Sequence, residues 1–190
     1  MVKIRSVKFN FIMNFILTAS SFVFPLITFP YVSRILLAEG TGKVAFATSI
    51  ANYFIMLASL GIPTYGVRAC AVVRDDKDKL SKTAQELLII HSITTLISLG
   101  ILGISIFAIP QFYQEKDLLF INALSIVLNV LGANWLYSAL EQYGYITVRS
   151  LIFKVISIVL MFVFVHEPED YIVYGGISII AVSYTHLRAH

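Results

Sequence analysis

The chain has 190 residues, of which 58% are hydrophobic and 13% are charged, and its formal net charge is +3. A mean hydropathy of +0.83 exceeds what a soluble domain of this length can bury, so the composition indicates a polytopic membrane protein. The small positive charge lies in polar stretches between apolar runs and does not indicate nucleic-acid binding, and the lone cysteine, Cys70, excludes an intrachain disulfide.

The first apolar run, residues 9–33, contains no charged residue and ends at Arg34. About 20 apolar residues cross a bilayer core as a helix, so this run predicts a transmembrane helix with some tilt. Its polar residues recur at spacings of three and four and therefore form one narrow seam along the helix, which comprises Asn10, Asn14, Thr18, Ser21, Pro25 and Thr28.

Four further runs predict complete spans at about 44–63, 85–110, 118–140 and 146–165. A polar linker, 34–43, precedes the second run, and a hydrophilic loop, 64–83, follows it. Three of these runs also carry polar seams, formed by Thr48, Asn52 and Ser59, by His91, Thr95, Ser98 and Ser105, and by Asn122, Ser125, Asn129 and Gly132. Such seams either join helices through hydrogen bonds or line a cavity, and the sequence leaves both readings open.

A sixth run, 171–182, is too short to cross the bilayer at 1.5 Å per residue, so we expect an incomplete span. The eight-residue tail, 183–190, resembles translated adapter read-through. We expect the native coding sequence to stop near residue 182, and the alternative is a short re-entrant end. The tail is excluded from functional reasoning.

Positive charges predict the orientation of the chain. Stretches on the side of the N-terminus carry ten cations, namely Lys3, Arg5, Lys8, Arg68, Arg74, Lys77, Lys79, Lys82, Arg149 and Lys154. The opposite side carries three, namely Arg34, Lys43 and Lys116. The positive-inside bias therefore predicts a cytoplasmic N-terminus.

No catalytic constellation is present in the sequence. Acidic residues lie in loops or at span ends, no histidine has a cysteine or second histidine at ligand spacing, and no phosphate-binding glycine loop occurs. We therefore predict a protein that is not an enzyme, with no catalytic residues, no metal site and no cofactor.

Two groups of residues resemble a known family. The first group is Phe29-Pro30-Tyr31, Arg34, Gly40, Gly42, Phe46, Tyr53-Phe54, Gly61-Ile62-Pro63, Tyr65-Gly66, Arg68, Arg74-Asp75 and Lys79-Leu80-Ser81. The second is Asn134-Trp135, Tyr137, Leu140-Glu141, Tyr143, Tyr145-Ile146-Thr147, Arg149-Ser150, Phe164-Val165, Glu169-Asp170-Tyr171 and Tyr174. Together they resemble the N-terminal signature of O-antigen and capsule-type oligosaccharide repeat-unit flippases. These belong to the polysaccharide biosynthesis branch of the multidrug/oligosaccharidyl-lipid/polysaccharide exporter superfamily. The resemblance covers residues 1 to about 182 and departs at Leu37-Ala38, where the family usually has Leu-Gly.

The resemblance implies an all-α, polytopic transmembrane bundle with two lobes of about six helices each, of which residues 1–182 would form the N-terminal lobe. It implies translocation of undecaprenyl-pyrophosphate-linked oligosaccharide repeat units across the bacterial cytoplasmic membrane by alternating access. Expected partners are the lipid-linked oligosaccharide and membrane lipid, with a polysaccharide polymerase and glycosyltransferases as further candidates, and no nucleic acid. Two alternatives stay open: a drug or cation exporter of the same superfamily, and a non-transporting assembly protein of a polysaccharide complex.

Eight residues are candidate substrate ligands in a central cavity: Arg34, Lys154, Asn14, Asn52, His91, Asn129, Arg149 and Glu141. Lys154 lies about eight residues into the fifth span, where a cation either faces the bundle interior or reaches back to the interface. An interior Lys154 would bind the anionic pyrophosphate. His91 either faces a proton path or is hydrogen-bonded within the structure, and Glu141 and Arg149 are candidates for a structural ion pair.

Overall fold

The computed structural model describes residues 6–182, and within this range the chain is helical throughout its regular structure, with no strand. The helices are α1 (Val7–Ile35), α2 (Leu37–Ser59), α3 (Ile62–Val72), α4 (Lys77–Ala108), α5 (Pro110–Gln114), α6 (Lys116–Gly132), α7 (Asn134–Ala139), α8 (Tyr143–Phe164) and α9 (Tyr171–Val182). The predicted all-α transmembrane bundle is confirmed. The tail at 183–190 lies outside the described residues.

The long helices are those of a multi-pass membrane protein. Four segments are long and apolar enough to cross a bilayer, namely α1, α4, α6 continued by α7, and α8. The bent pair of α2 and α3 makes a fifth if it is one broken span. The described part of α9 has 12 residues, which reach about 18 Å along the helix axis and leave it short of a crossing.

Helix boundaries differ from the predicted span boundaries between α1 and α4. α2 begins at Leu37, inside the predicted polar linker, and α3 with the first turns of α4 occupies most of the predicted loop 64–83. Asp76 starts α4 by accepting a hydrogen bond from the Lys79 backbone N–H at 3.2 Å. Hydropathy marks the border of the apolar layer, and a helix can continue past it, so the predicted spans stay predictions.

The break between α2 and α3 comes from backbone conformation. Leu60 and Gly61 both have positive φ angles, +42° and +76°, and Pro63 follows within the first turn of α3. The two helices consequently meet at a bend of 42°. A similar break divides the predicted fourth span, since Ala133, with φ +39°, separates α6 from α7.

Three apolar clusters hold the described helices together. The first joins α2, α4 and α6 around Ala47, Leu102 and Ile126. The second joins α3, α4 and α7 around Trp135, and the third joins α1, α8 and α9 around Met161. The first two clusters share α4, while α1 contacts mainly α8.

Polar side chains fix the register of α2 against α4. Thr94 Oγ1 donates to the Ala58 carbonyl oxygen at 2.6 Å, and Ser98 Oγ donates to the Phe54 carbonyl oxygen at 2.8 Å. Moving four residues forward on α4 therefore moves four residues backward on α2, as antiparallel helices require. Of the polar seam predicted on α4, Ser98 joins the two helices in this way, whereas Ser105 donates to the Ile101 carbonyl within α4 and Thr94 lies beside the seam.

Candidate functional site: an intramembrane lysine between two parallel helices

The helices α1 and α8 run side by side in the same direction. Three of the hydrogen bonds between them, at both ends and near the middle, each join residues 134 positions apart. The pairs are Thr147 Oγ1 to the Met13 carbonyl at 2.9 Å, Lys154 Nζ to Ser20 Oγ at 2.8 Å, and Tyr31 Oη to the Val165 carbonyl at 2.9 Å. A constant separation over this length means that the helices are parallel and in one register.

Lys154 occupies the centre of this contact. Its side chain is 5% exposed, and its ammonium donates to Ser20 Oγ at 2.8 Å and Ser21 Oγ at 3.2 Å. Within residues 6–182 no carboxylate forms an ion pair with it. An ammonium has three N–H donors, so the two serines leave one for another acceptor.

Further hydroxyl groups share the face of α8 that carries Lys154. Ser150 is fully buried, and its Oγ has no hydrogen-bond partner among the described residues. Ser157 is also buried and donates to the Ile177 carbonyl oxygen at 3.4 Å. The predicted grouping of Ser150, Lys154 and Ser157 on one face therefore lies against α1 and α9, away from lipid. Buried cations without a carboxylate partner are suited to bind an anion once their hydroxyl partners move aside.

A second polar cluster lies where α8 begins. Arg74 Nη1 contacts Glu141 Oε1 at 2.9 Å. Arg149 donates to the Asn134 side-chain oxygen and lies over the rings of Tyr137 and Tyr145. The structure places Arg74 against Glu141 and Asn134 against Arg149, and the candidate ion pair between Glu141 and Arg149 stays a prediction. Arg74 lies in the turn that follows α3, within the hydrophilic stretch 64–83 that the sequence predicts as a loop.

A cavity opens beside this cluster, between the first turns of α1 and the start of α8. Its volume is about 580 Å³. The lining residues are Phe9, Asn10, Met13, Glu141, Gln142, Gly144, Tyr145 and Val148. Of the eight predicted ligands, only Glu141 lines this cavity.

The remaining predicted ligands are dispersed. Arg34 is exposed in the last turn of α1, and Asn14, Asn52 and Asn129 are half-buried on three different helices. His91 is buried in α4, and neither ring nitrogen has a hydrogen-bond partner among the described residues. The structure therefore does not gather the eight candidates into one site within this chain.

Sequence reasoning missed Ser20 and Arg74 as partners of the charged groups. Ser20 lies beside the predicted seam of α1, and its contact to Lys154 bridges 134 residues. Only the register of α1 against α8 identifies it, and that register is not readable from a single sequence. The predicted loop that contains Arg74 has an excess of cations, which indicates that one of them could contact Glu141. Nothing in the sequence identifies Arg74 as that cation.

These features define a multi-pass helical membrane protein with an intramembrane cation. Residues 7–188 match the family described as "Polysaccharide biosynthesis protein", and the chain belongs to that family. This confirms the resemblance seen in the sequence.

Two curated relatives carry the name "Putative O-antigen transporter". The protein from Escherichia coli strain K12 is 25% identical over 173 residues, which cover 91% of this chain and 42% of the relative. The protein from Shigella dysenteriae is 24% identical over 166 residues, which cover 86% of this chain and 41% of the relative. The chain therefore spans less than half the length of these relatives. No solved structure gives a significant match.

Proposed function

We propose that this chain is the N-terminal lobe of a transporter that moves an undecaprenyl-pyrophosphate-linked oligosaccharide across the bacterial cytoplasmic membrane. Family membership and the names of the two relatives support the transport of a surface polysaccharide precursor. The short match to each relative supports a second lobe that this sequence does not contain. Transport rather than chemical conversion is the proposed role, so no enzymatic activity is expected.

The observation that carries this proposal is the buried Lys154. A charged side chain within a membrane span is costly, and it faces a bundle interior or water when it is retained for function. Here the charge is held by the hydroxyl groups of Ser20 and Ser21 and not by a carboxylate. A pyrophosphate group would offer the negative charge that these hydroxyls lack, and Lys154 would bind it through charge-assisted hydrogen bonds.

Alternating access fits this arrangement. In the described state Lys154 is closed off between α1 and α8, and α1 is the least buried of the four long helices. Movement of α1 away from α8 would free the ammonium for the head group, and return of α1 would restore the serine contacts. Two-lobed transporters with a central site commonly work by such rocking motions.

The proposed orientation places the N-terminus in the cytoplasm of the bacterial inner membrane. The excess of cations on that side supports it. The parallel direction of α1 and α8 is consistent with it, because both helices then start at the cytoplasmic face. Membrane lipid, the lipid-linked oligosaccharide, a polysaccharide polymerase and glycosyltransferases are the proposed partners.

A drug or cation exporter is the second candidate that the superfamily resemblance suggests. Such a protein is expected to bind its cation or proton with an acidic residue inside a span. In the described helices no aspartate or glutamate lies near the middle of a span. A buried lysine without an acidic partner favours an anionic substrate instead.

The test is export of surface polysaccharide by cells that lack their own repeat-unit flippase and carry the full-length transporter. Lys154→Leu should abolish export at unchanged protein abundance, and Lys154→Arg should retain much of it. Lys82→Leu, at an exposed position in the first turns of α4, is the matched control and should export normally. Full export by the Lys154→Leu variant would contradict the role of the lysine, and no export by the wild-type protein would contradict the transport function.

A further inference from the structure

The cavity between α1 and α8 contains a buried acceptor without a donor. Asn10 is 8% exposed and lines the cavity, and its Oδ1 has no hydrogen-bond partner among the described residues. Buried amide oxygens are almost always hydrogen-bonded, because an unpaired one loses its hydration without compensation. A ligand hydroxyl in the cavity would supply the missing donor.

Other polar groups of the cavity are also suited to hydroxyl ligands. Gln142 offers both an acceptor and two N–H donors, and the Glu141 carboxylate is already paired with Arg74 at 2.9 Å. That pairing leaves the acidic group largely neutralised, so the cavity suits a neutral polar ligand better than an anion. The non-glycine residue Glu141 has a φ of +55°, a costly conformation of the kind that clusters at binding sites.

The aromatic wall of the cavity is held in place by its surroundings. The Tyr145 ring lies 4.8 Å from the Tyr137 ring, and the Arg149 guanidinium lies 5.4 Å from the Tyr145 ring centre. Phe9 forms another wall and approaches so closely to Gly144 that a Cβ on Gly144 would lie 3.0 Å from the Phe9 ring. Fixed aromatic faces provide a surface for the apolar C–H face of a ring-shaped ligand.

The geometry points to this cavity as a binding site for one neutral sugar ring. A pyranose combines an apolar C–H face for Tyr145 or Phe9 with hydroxyl donors for Asn10, and the volume of about 580 Å³ falls within the range of small-molecule sites. A lipid acyl chain would pack against the apolar wall of the cavity, but it would supply no hydrogen-bond donor to Asn10 Oδ1. The inference rests on the proposed function and deepens it, since the ring would belong to the transported oligosaccharide.

Saturation-transfer NMR tests this site with the full-length transporter in a detergent that has no sugar head group. The probes are the methyl glycosides of glucose, galactose and N-acetylglucosamine. At least one should receive saturation, mainly at the C–H protons of one ring face. Absence of saturation for all three, or equal saturation of both faces, would overturn the proposal.

Two variants locate the binding. Asn10→Leu removes the acceptor and Gly144→Ala pushes against the Phe9 ring, so each should weaken glycoside binding roughly three- to tenfold. The control is Gly103→Ala on α4, where an added Cβ meets nothing within 4 Å, and it should bind like the wild type. Wild-type binding by either folded cavity variant would contradict the site. The face-selective saturation of the wild-type protein decides the question if both variants misfold.

Native mass spectrometry separates the sugar from a lipid occupant. A phospholipid that copurifies with the wild-type protein and is lost from Gly144→Ala would identify a lipid site and overturn the proposal. The export assay stays independent of these readouts. Glycoside binding without export by the wild-type protein would retain the sugar site and reject the transport function, and the reverse result would reject only the sugar site.

Discussion

The ammonium of Lys154 lies 2.8 Å from the hydroxyl of Ser20, and the two residues are separated by the same 134 positions as the other two polar pairs between α1 and α8. A single register thus sets the depth of the buried charge. Any slide of α1 along α8 would break all three contacts at once, so separation of the helices is the simpler way to release the lysine.

The outer two contacts of this register should contribute stability but not specificity for substrate. Thr147→Val and Tyr31→Phe should each lower the free energy of unfolding by about 0.6 kcal/mol, the average for hydrogen bonds between membrane helices. Their effects should add, because the two sites lie at opposite ends of the helices. Equilibrium unfolding in mixed micelles measures both.

The matched control for this prediction is Thr41→Val. The Thr41 hydroxyl donates to the carbonyl of Leu37 within α2, so its loss breaks no contact between helices. A loss of stability in Thr41→Val as large as in Thr147→Val would remove the argument that the inter-helix bonds matter.

Cysteine labelling should show that position 41 faces the outside and position 78 faces the cytoplasm. Thr41→Cys and Asp78→Cys would be made in a Cys70→Ala background, and an impermeant maleimide would be added to intact cells. Modification of position 41 alone is expected. Modification of position 78 alone would reverse the proposed orientation.

Gly66→Ala should destabilise the packing of α3 on α7. A Cβ on Gly66 would lie 2.7 Å from Trp135 Cε3, and Trp135 is 1% exposed, so the ring has little room to move. Overpacking of this kind costs about 1–3 kcal/mol, which thermal unfolding would detect. Gly42→Ala is the control, since nothing lies within 4 Å of its added Cβ; equal destabilisation there would contradict the explanation.

Arg34 should matter for export in a way that Lys43 does not. Arg34 is exposed at the end of α1, whereas Lys43 forms ion pairs with Glu39 at 2.9 Å and Glu115 at 3.8 Å. Arg34→Ala in the full-length transporter should reduce polysaccharide export at unchanged abundance. Lys43→Ala should keep export, because surface ion pairs such as these contribute little to stability. Equal loss from both variants would remove the special role of Arg34.

The 190-residue chain alone should not restore export to a flippase-deficient cell. Half of a two-lobed transporter would leave part of the polar seam of α1, such as the half-buried Asn14, facing lipid, where unpaired polar groups are costly. Expression of the fragment beside an empty-vector control, with surface polysaccharide as the readout, tests this. Restored export by the fragment would show that one lobe is sufficient.

The all-α class and the presence of several long apolar helices follow from the sequence, because an apolar run long enough to cross the bilayer can satisfy its backbone hydrogen bonds there only as a helix or in a closed barrel. The breaks do not follow as readily. Gly61 and Pro63 hint at the end of α2, but Ala133 and Leu60 adopt positive φ angles for which their side chains give no signal.

The candidate site was predictable in part. The depth of Lys154 and the serines on its face follow from helical spacing along α8. Its partners on α1, and the choice of Arg74 as the contact of Glu141, depend on how helices distant in sequence are aligned. Asn10 belongs to the polar seam that the sequence predicts. Only the structure shows that it lines a cavity, because the cavity forms where the α7–α8 connection lies beside α1.

The placement of Trp135 has a practical consequence. It is the single tryptophan of the chain, and it is enclosed at the contact of α3 with α7. Its fluorescence emission should therefore be blue-shifted in the folded protein and move to longer wavelength when α3 undocks. Since Arg74, which holds Glu141 at the rim of the cavity, follows directly after α3, this intrinsic signal would report motion at the cavity without any attached label.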